Sequence, residues 1–227
     1  MIGIITAEKQ EVANLIKILK AKIIEFNGIR YFVANYHNQQ IIINFCGIGK
    51  VNAAIAAMNM ITNFHVNTIL NIGVCGSAKK SLAPGATLIA DKIEYADVDL
   101  TPLNYPLNKL PDEPLTFTVK NEMLKYLKNI LPDATIGTIC SSDSFITLQN
   151  IESFPSVVNP EVVGFDMEAA AIAHTCYKTK VNFICVKYVS DNLTFNEESK
   201  AQYNANMKSL AKKIEETCLK VFCTFNL

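Results

Sequence analysis

Short apolar runs alternate with segments of helical period along almost the whole chain. The N-terminal run MIGIIT is typical of a buried strand, and residues 9–20 carry apolar side chains at helical spacing. Similar strand-like runs follow: KIIEF, RYFVANY, QQIIINF, TILNIGV, ATLIADKIEYA, TIGTICSS and VNFICVKYVSD. Such alternation predicts an α/β fold in which helices cover both faces of a central sheet. Because no internal repeat, low-complexity tract or linker interrupts it, residues 1–227 are predicted to form a single domain.

Local signals place turns and helices within this alternation. Asn27 and Gly28, between the first two runs after the N-terminal helix, predict a tight hairpin. The segments VNAAIAAMNMITNF and AAAIAHTC are predicted to be core helices, so Met58 and Met60 are expected to be buried. TILNIGV is expected to end in a glycine-rich turn, and a last helix is expected over residues 197–222.

Composition excludes several classes of function. The 227 residues carry 21 basic and 21 acidic side chains, so the formal net charge is zero. Such a chain lacks the basic surface with which proteins bind nucleic acid or anionic membranes. No apolar run reaches the length of a membrane span, and MIGIITAEKQ lacks the basic start of a secretory signal. We therefore expect a cytoplasmic protein with no nucleic-acid and no membrane partner.

The seven cysteines are odd in number and form no C-x-x-C pair. That usage is typical of reduced, buried thiols rather than of a disulfide framework or a zinc site. The sequence therefore predicts no metal centre.

Polar residues cluster directly after the strand-like runs, where ligands bind in open α/β sheets. The segments concerned are 6–11, 46–50, 73–77, 141–146, 166–168 and 190–191. Carboxylates are costly to bury unless they are paired or hydrogen-bonded, so Asp166 and Glu168, at the start of a predicted core helix, need an explanation. Acids in these segments also have ordinary roles: Glu11 could satisfy the first turn of a helix, Asp166 could cap one, and Asp191 could form a turn.

Six motifs, in order and with matching spacing, resemble the nucleoside phosphorylase and hydrolase superfamily. They are GIITAEKQEV, CGIGKVNAA, NIGVCG, SSDSFI, FDMEAAAIAHTC and VSD. The resemblance is strongest to the hydrolytic branch, the 5′-methylthioadenosine/S-adenosylhomocysteine nucleosidases. It implies a three-layer αβα fold with a central mixed, partly barrel-like sheet. It also implies an enzyme that hydrolyses the N-glycosidic bond of these two nucleosides, releases adenine and a 5-thio-substituted ribose, and needs no cofactor.

The resemblance implies a role for each matching residue. Glu11 would take a proton from the attacking water, and Asp191 would protonate N7 of the purine, because a protonated base leaves more easily. Glu168 would bind the ribose hydroxyls, with Met167 packed on the sugar. The resemblance implies that the Phe145 ring would stack on adenine and that the main chain of Phe145 and Ile146 would pair with the adenine edge. The other substrate-binding residues that it implies are Gly76, Ser190, Asp166, Ile48, Phe195, Leu100, Leu103 and Pro111.

The resemblance further implies a homodimer in which the pocket for the 5′ group is shared between subunits. The matching segment, residues 97–111, is apolar and rich in proline, and it carries the last three residues of that set. The chain departs from the family pattern at four positions: Glu8 replaces an apolar Met, Val74 a Ser, Asp166 a Glu and Lys187 an Arg.

Three other functions stay open at this point. They are a nucleoside phosphorylase, a hydrolase of another 5′-modified nucleoside such as futalosine, and a nucleoside-binding protein without catalysis. The complete carboxylate set argues against the last. Phosphorylases bind phosphate with arginines, whose fork matches the phosphate oxygens. This chain has a single arginine, Arg30, and Asn71 lies where another would be expected, so hydrolysis is predicted.

Overall fold

The structure, a computed structural model, describes residues 1–37, 39–195 and 198–224. Its strands are β1 (Ile2–Thr6), β2 (Lys22–Phe26), β3 (Ile29–Tyr36), β4 (Gln39–Phe45), β5 (Thr68–Ser77), β6 (Thr87–Tyr95), β7 (Phe117–Thr118), β8 (Thr135–Ser141), β9 (Val162–Asp166) and β10 (Asn182–Asn192). Its α-helices are α1 (Lys9–Ile18), α2 (Lys50–Phe64), α3 (Asn121–Ile130), α4 (Ala169–Thr179) and α5 (Ser199–Thr224). Short 3-10 turns lie at Thr101–Leu103, Ile151–Ser153 and Pro155–Val158.

The strands form one mixed sheet in the order β10-β6-β8-β9-β5-β1-β4-β3-β2, with β7 paired to β6. β10 also pairs with β5, and this extra pairing closes β5, β10, β6, β8 and β9 into a ring. β1 and β4 continue the sheet in parallel from β5, and β3 and β2 complete it as an antiparallel meander. The expected mixed, partly barrel-like sheet is confirmed.

Helices cover both faces of this sheet because the strands are apolar on both sides. Leu15 of α1 and Ile214 of α5 share one buried cluster with Ile4 of β1. Ala57 of α2 shares another with Ile5, the next residue of β1. Successive strand residues point to opposite faces, so β1 contributes to two separate cores. The three-layer αβα arrangement is confirmed.

β5 does not end in a glycine-rich turn, contrary to the sequence expectation, but continues as a strand to Ser77. Its glycines serve close packing instead. A Cβ on Gly73 would lie 2.6 Å from Oε1 of Glu11, and a Cβ on Gly76 would lie 2.3 Å from the ring of Phe165. These glycines therefore do not mark a turn. They allow neighbouring side chains to approach the backbone closely, which is a common reason for glycine inside a strand.

α2 is buried on one side only, so the prediction of a core helix is wrong for its other face. Met60 is buried, whereas Met58 is 42% exposed, Ile55 45% and Val51 70%. β9, whose five residues are all buried, was not predicted from the sequence. The last helix begins at Ser199, and residue 197 of its expected start lies outside the described residues.

The hairpin predicted at Asn27 and Gly28 is present, because Phe26 pairs with Ile29 across a two-residue loop. Both loop residues have positive φ, 51° and 77°, as the twist of a two-residue hairpin requires. Across the described ranges, every helix is too short or too polar to cross a membrane.

Candidate active site

A cavity of about 360 Å³ opens where several strands end. Its walls come from the segments after β1, β4, β8 and β9, from the ends of β5 and β10, and from the first two turns of α5. The strand-end segments singled out in the sequence therefore converge on one site, as the strand-end rule predicts.

Glu11 is the third residue of α1 and is 2% exposed. Its two carboxylate oxygens accept separate backbone hydrogen bonds: Oε2 from the Glu8 N–H at 2.8 Å and Oε1 from the Val74 N–H at 3.0 Å. Burial raises the pKa of Glu11, although these N–H groups and Lys187 oppose the shift. A carboxylate that is fixed at both oxygens and has a raised pKa is suited to accept a proton from water.

Glu168 lies directly before α4 and is 5% exposed. Its Oε1 accepts a hydrogen bond at 2.9 Å from the backbone N–H of Gly49, which precedes α2. Gly49 has a φ of 102°, a conformation that favours glycine. Burial, reinforced by the nearby negative charge of Asp166, raises the pKa of Glu168 to about 7.

Asp166 fixes the segment that carries Glu168. Its carboxylate accepts hydrogen bonds from the backbone N–H groups of Glu168 and Ala169 at 3.1–3.3 Å, the capping role that the sequence allowed as an alternative. It also pairs with Lys187 of β10 at 2.7 Å, with both side chains almost fully buried. Burial alone would lower the pKa of Lys187, but the attraction of Asp166 raises it well above its usual range. Lys187 therefore stays charged and neutralises one of the buried acids.

Asp191 closes the opposite wall of the cavity, near the end of β10. It is 2% exposed, and its Oδ1 accepts a hydrogen bond from the Ser190 hydroxyl at 2.7 Å. Its Oδ2 is buried and has no well-formed hydrogen bond to a described residue, although the Ser199 hydroxyl lies near the carboxylate. Burial raises the pKa of Asp191, against the hydrogen bonds of Ser190 and Ser199. A carboxyl group of this kind retains its proton more readily and can donate it to a ligand.

Phe145 and Ile146 line the same cavity from the loop after β8. Ile146 is buried, whereas the Phe145 ring is 46% exposed and lies 6.4 Å from the Tyr203 ring in an edge-to-face arrangement. The Phe145 carbonyl accepts a hydrogen bond at 3.0 Å from the Asn150 side chain. The Phe145 ring is thus available as an apolar face for a flat ligand.

Three charged residues fasten this loop to the start of α2. Lys50 pairs with Asp97 at 2.6 Å, and Asp97 accepts a hydrogen bond from the Asp143 N–H at 2.8 Å. Asp143 in turn accepts one from the Lys50 N–H at 2.8 Å. These closed contacts, which we call the loop clamp (Lys50, Asp97, Asp143), hold the loop of Phe145 close to Gly49, which binds Glu168.

Most residues expected at the site line this one cavity. They are Glu11, Ile48, Gly76, Phe145, Ile146, Asp166, Met167, Glu168, Ser190 and Asp191. Phe195 instead lines a smaller neighbouring cavity of about 230 Å³. Leu100, Leu103 and Pro111 lie away from both cavities, and Leu103 is 65% exposed.

Sequence reasoning did not assign several lining residues to the site. Glu8 and Lys187 were noted only as departures from a family pattern, and Lys200, Tyr203 and Asn204 of α5 were not singled out at all. Helical periodicity identifies the apolar face of α5, but it gives no signal for polar residues of its first two turns that face a cavity.

Known proteins with the same fold provide an independent comparison. The family model described as the phosphorylase superfamily matches residues 1–223. A 5′-methylthioadenosine/S-adenosylhomocysteine nucleosidase of Staphylococcus saprophyticus is 35% identical over 196 residues, which cover 84% of this chain and 86% of that protein.

Solved structures agree with this match. The nucleosidase of Colwellia psychrerythraea in complex with adenine superposes with a TM-score of 0.90 at 28% identity, covering 98% of this chain and 94% of that one. Futalosine hydrolase of Helicobacter pylori superposes with a TM-score of 0.87 at 27% identity, covering 98% and 96%. With a family model that spans nearly every residue, this chain belongs to the phosphorylase superfamily.

Proposed function

We propose that this enzyme hydrolyses the N-glycosidic bond of 5′-methylthioadenosine and S-adenosylhomocysteine, releasing adenine and a 5-thio-substituted ribose. The observation that carries the proposal is the convergence of Glu11, Glu168 and Asp191 on one cavity, each with a raised pKa. Carboxyl groups of this kind perform glycosidic cleavage through an oxocarbenium-like transition state. The nucleosidases among its relatives support the same substrates.

Asp191 provides the acid for the leaving group. Its buried Oδ2 has no well-formed hydrogen bond within the described residues, and its raised pKa makes the protonated form more accessible. Donation of this proton to N7 of adenine allows the glycosidic electrons to leave with a neutral base.

Glu11 provides the base for the water. Attack of water on the anomeric carbon of the ribose forms the new C–O bond while the C–N bond breaks, and the proton lost by the water goes to the Glu11 carboxylate. Both oxygens of Glu11 are fixed by backbone N–H groups, so the base is positioned before the substrate binds.

The remaining contacts orient the nucleoside. Glu168 accepts hydrogen bonds from the ribose hydroxyls, and Met167 packs on the sugar. The adenine ring stacks on Phe145, and its edge pairs with the main chain of Ile146. These roles use the side chains that the cavity brings together.

Water is favoured over phosphate as the attacking group. Arg30 lies exposed on β3 and is not among the lining residues. Asn71 is buried and donates a hydrogen bond to the Ile5 carbonyl, and Glu8 and Glu11 place negative charge in the wall. Beside Glu11, where the attacking group would bind, this negative charge disfavours a phosphate dianion.

The decisive experiment measures adenine release by ultraviolet absorbance in phosphate-free buffer, and then again with phosphate added. The panel contains methylthioadenosine, S-adenosylhomocysteine, futalosine, inosine and uridine. We expect adenine release that is independent of phosphate. Formation of ribose 1-phosphate only when phosphate is present would replace our proposal with a phosphorylase, and preferential cleavage of futalosine would replace it with the activity named for the Helicobacter relative.

We also propose that the enzyme is a homodimer whose partner completes the pocket for the 5′ group. Support comes from an exposed apolar surface beside the cavity mouth, formed by Ile48, Val51, Ile55 and Met58. The exposed Leu103 of the segment 97–111 is a second apolar group that would be covered. Sedimentation at micromolar concentration should give twice the chain mass, and Ile55→Asp should shift it to one chain.

A cytoplasmic location belongs to the same proposal. All seven cysteines are free, six of them at least partly buried, and free thiols are typical of a reducing compartment. Cell fractionation of the tagged native protein tests this, and recovery outside the cytoplasm would contradict it.

A further inference from the structure

We propose that Glu8 and Lys200 form a subsite for the 5′ tail of the substrate and select a tail that carries both an ammonium and a carboxylate. The inference rests on the proposed nucleosidase function. It makes S-adenosylhomocysteine, whose tail ends in an α-amino acid, a better substrate than methylthioadenosine, whose tail is an uncharged methylthio group.

The charged residues that line the cavity include two that have no assigned partner or role. Its acidic and basic lining residues are Glu8, Glu11, Asp166, Glu168, Lys187, Asp191 and Lys200. Lys187 is paired with Asp166, and the reaction uses Glu11, Glu168 and Asp191. Glu8 and Lys200 are left, and neither forms an ion pair with any residue in the described ranges. The cavity therefore presents one unneutralised anion and one unneutralised cation.

Glu8 lies beside the proposed base and has an oriented carboxylate. Its backbone N–H donates to Glu11, so it lies next to the base that activates the water. Among the donors to its side chain are the Tyr203 hydroxyl and the Gln10 amide at 2.8 Å, both on Oε2 and both neutral. A carboxylate that is oriented but not neutralised can accept a charge-assisted hydrogen bond from an ammonium group.

Lys200 lies on the same part of the cavity wall as Glu8. It lies three residues before Tyr203 on α5, and side chains at this spacing share a helix face. Both residues line the cavity, and Lys200 also lines the smaller cavity beside Phe195. Because Tyr203 contacts Glu8, the ammonium and the carboxylate belong to the same part of the wall.

Together these positions match a zwitterionic tail. With adenine stacked on Phe145 and the ribose bound by Glu168, the 5′ substituent is the part of the substrate left to meet Glu8 and Lys200. A methylthio group would displace water from both charges without replacing its hydrogen bonds, which is unfavourable. An α-amino acid offers an ammonium to Glu8 and a carboxylate to Lys200.

The test compares four substrates that share the adenosine part. They are methylthioadenosine, S-adenosylhomocysteine, and the two thioadenosines whose tails end in 3-aminopropyl or 3-carboxypropyl. For each enzyme, kcat/KM of every charged substrate is divided by kcat/KM of methylthioadenosine, which removes effects common to all substrates. The variants are Glu8→Gln and Lys200→Met. The matched controls are Glu25→Gln on β2 and Lys208→Met on α5, both exposed residues outside the cavity.

We expect Glu8→Gln to lower the ratio for the aminopropyl substrate roughly three- to tenfold, and Lys200→Met to lower the ratio for the carboxypropyl substrate by a similar factor. Each variant should lower the ratio for S-adenosylhomocysteine, and the controls should lower none. Ratios that stay within twofold of the native enzyme in both variants would overturn the subsite while leaving the nucleosidase intact. Absence of adenine release from all four substrates would instead overturn the proposed function itself.

Discussion

At the scale of single residues, the proton that Asp191 donates can be removed without changing the size of its side chain. Asp191→Asn keeps the size of the side chain and can still bind at N7, but an amide has no proton to give. We expect adenine release to fall about 10²- to 10⁴-fold, the usual contribution of a general acid, with little change in melting temperature. Single-turnover kinetics measure this loss, and Asp133→Asn, on the exposed surface, is the control. Turnover near that of the native enzyme would remove Asp191 from the mechanism.

Gly73 offers a second residue-scale prediction. A methyl group there would meet Oε1 of Glu11 at 2.6 Å, so Gly73→Ala must displace the base or the strand that binds it. We expect kcat to fall at least tenfold, because the base leaves its position relative to the water.

Gly3→Ala is the matched control for this substitution. It introduces the same methyl group into neighbouring β1, against the flexible Met60 side chain at 2.8 Å. It should lower the melting temperature but leave kcat within about twofold. Equal loss of kcat in both variants would mean that Gly73 acts only through general stability.

The residues proposed for the reacting centre could be selected from the sequence because they lie in local motifs. Glu11, Glu168 and Asp191 each lie within a few residues of a strand end, and all three line the cavity. Tyr203 could not be selected in this way, since its contact with Glu8 joins residues 195 positions apart. No spacing rule relates residues at that distance.

At the scale of elements, the loop clamp links substrate binding to the packing of α2. Asp97→Ala removes the acceptor for both the Lys50 ammonium and the Asp143 N–H. The loop of Phe145 then loses one of its attachments, so adenine should bind less tightly while the reacting carboxylates stay in place. We expect KM to rise roughly three- to tenfold and kcat to change less than threefold. A loss confined to kcat would contradict this division of roles, and Asp133→Ala serves as the surface control.

Element boundaries were predictable where period and turn signals agreed, as at the β2–β3 hairpin. The predictions were wrong where one sequence pattern is compatible with two different structures. The glycines of β5 indicate a turn as readily as they indicate a strand pressed against side chains. The apolar residues of α2 indicate a core as readily as a face that is exposed in the single chain.

At the scale of the whole molecule, the buried acids make stability depend on pH. The pKa of Glu168 rises from 4.5 in the free side chain to about 7 in the folded protein, so the fold favours its neutral form. Its contribution is complete below about pH 4.5 and is lost as the pH rises through about 7, with an upper limit of about 3 kcal/mol. Between pH 5 and pH 7.5 the melting temperature should therefore decrease.

Glu168→Gln tests this dependence, since a neutral amide cannot ionise. The variant should show a decrease smaller by roughly 5 °C than that of the native protein over the same interval. Differential scanning calorimetry without nucleoside gives both curves, and Glu25→Gln, an exposed carboxylate, should behave as the native protein. Parallel curves for native protein and Glu168→Gln would show that the carboxyl group titrates normally.

The closed ring of strands also determines when the sheet can be completed during synthesis of the chain. β10 pairs with β5 along its length and with β6, although β5 is synthesised more than a hundred residues earlier. Until β10 has left the ribosome, both partners present open edges, which invite pairing with other chains. Asp191 lies on that same strand. A nascent chain is therefore prone to aggregate during an interval in which it cannot yet catalyse, and this interval lasts at least until residues 182–192 insert.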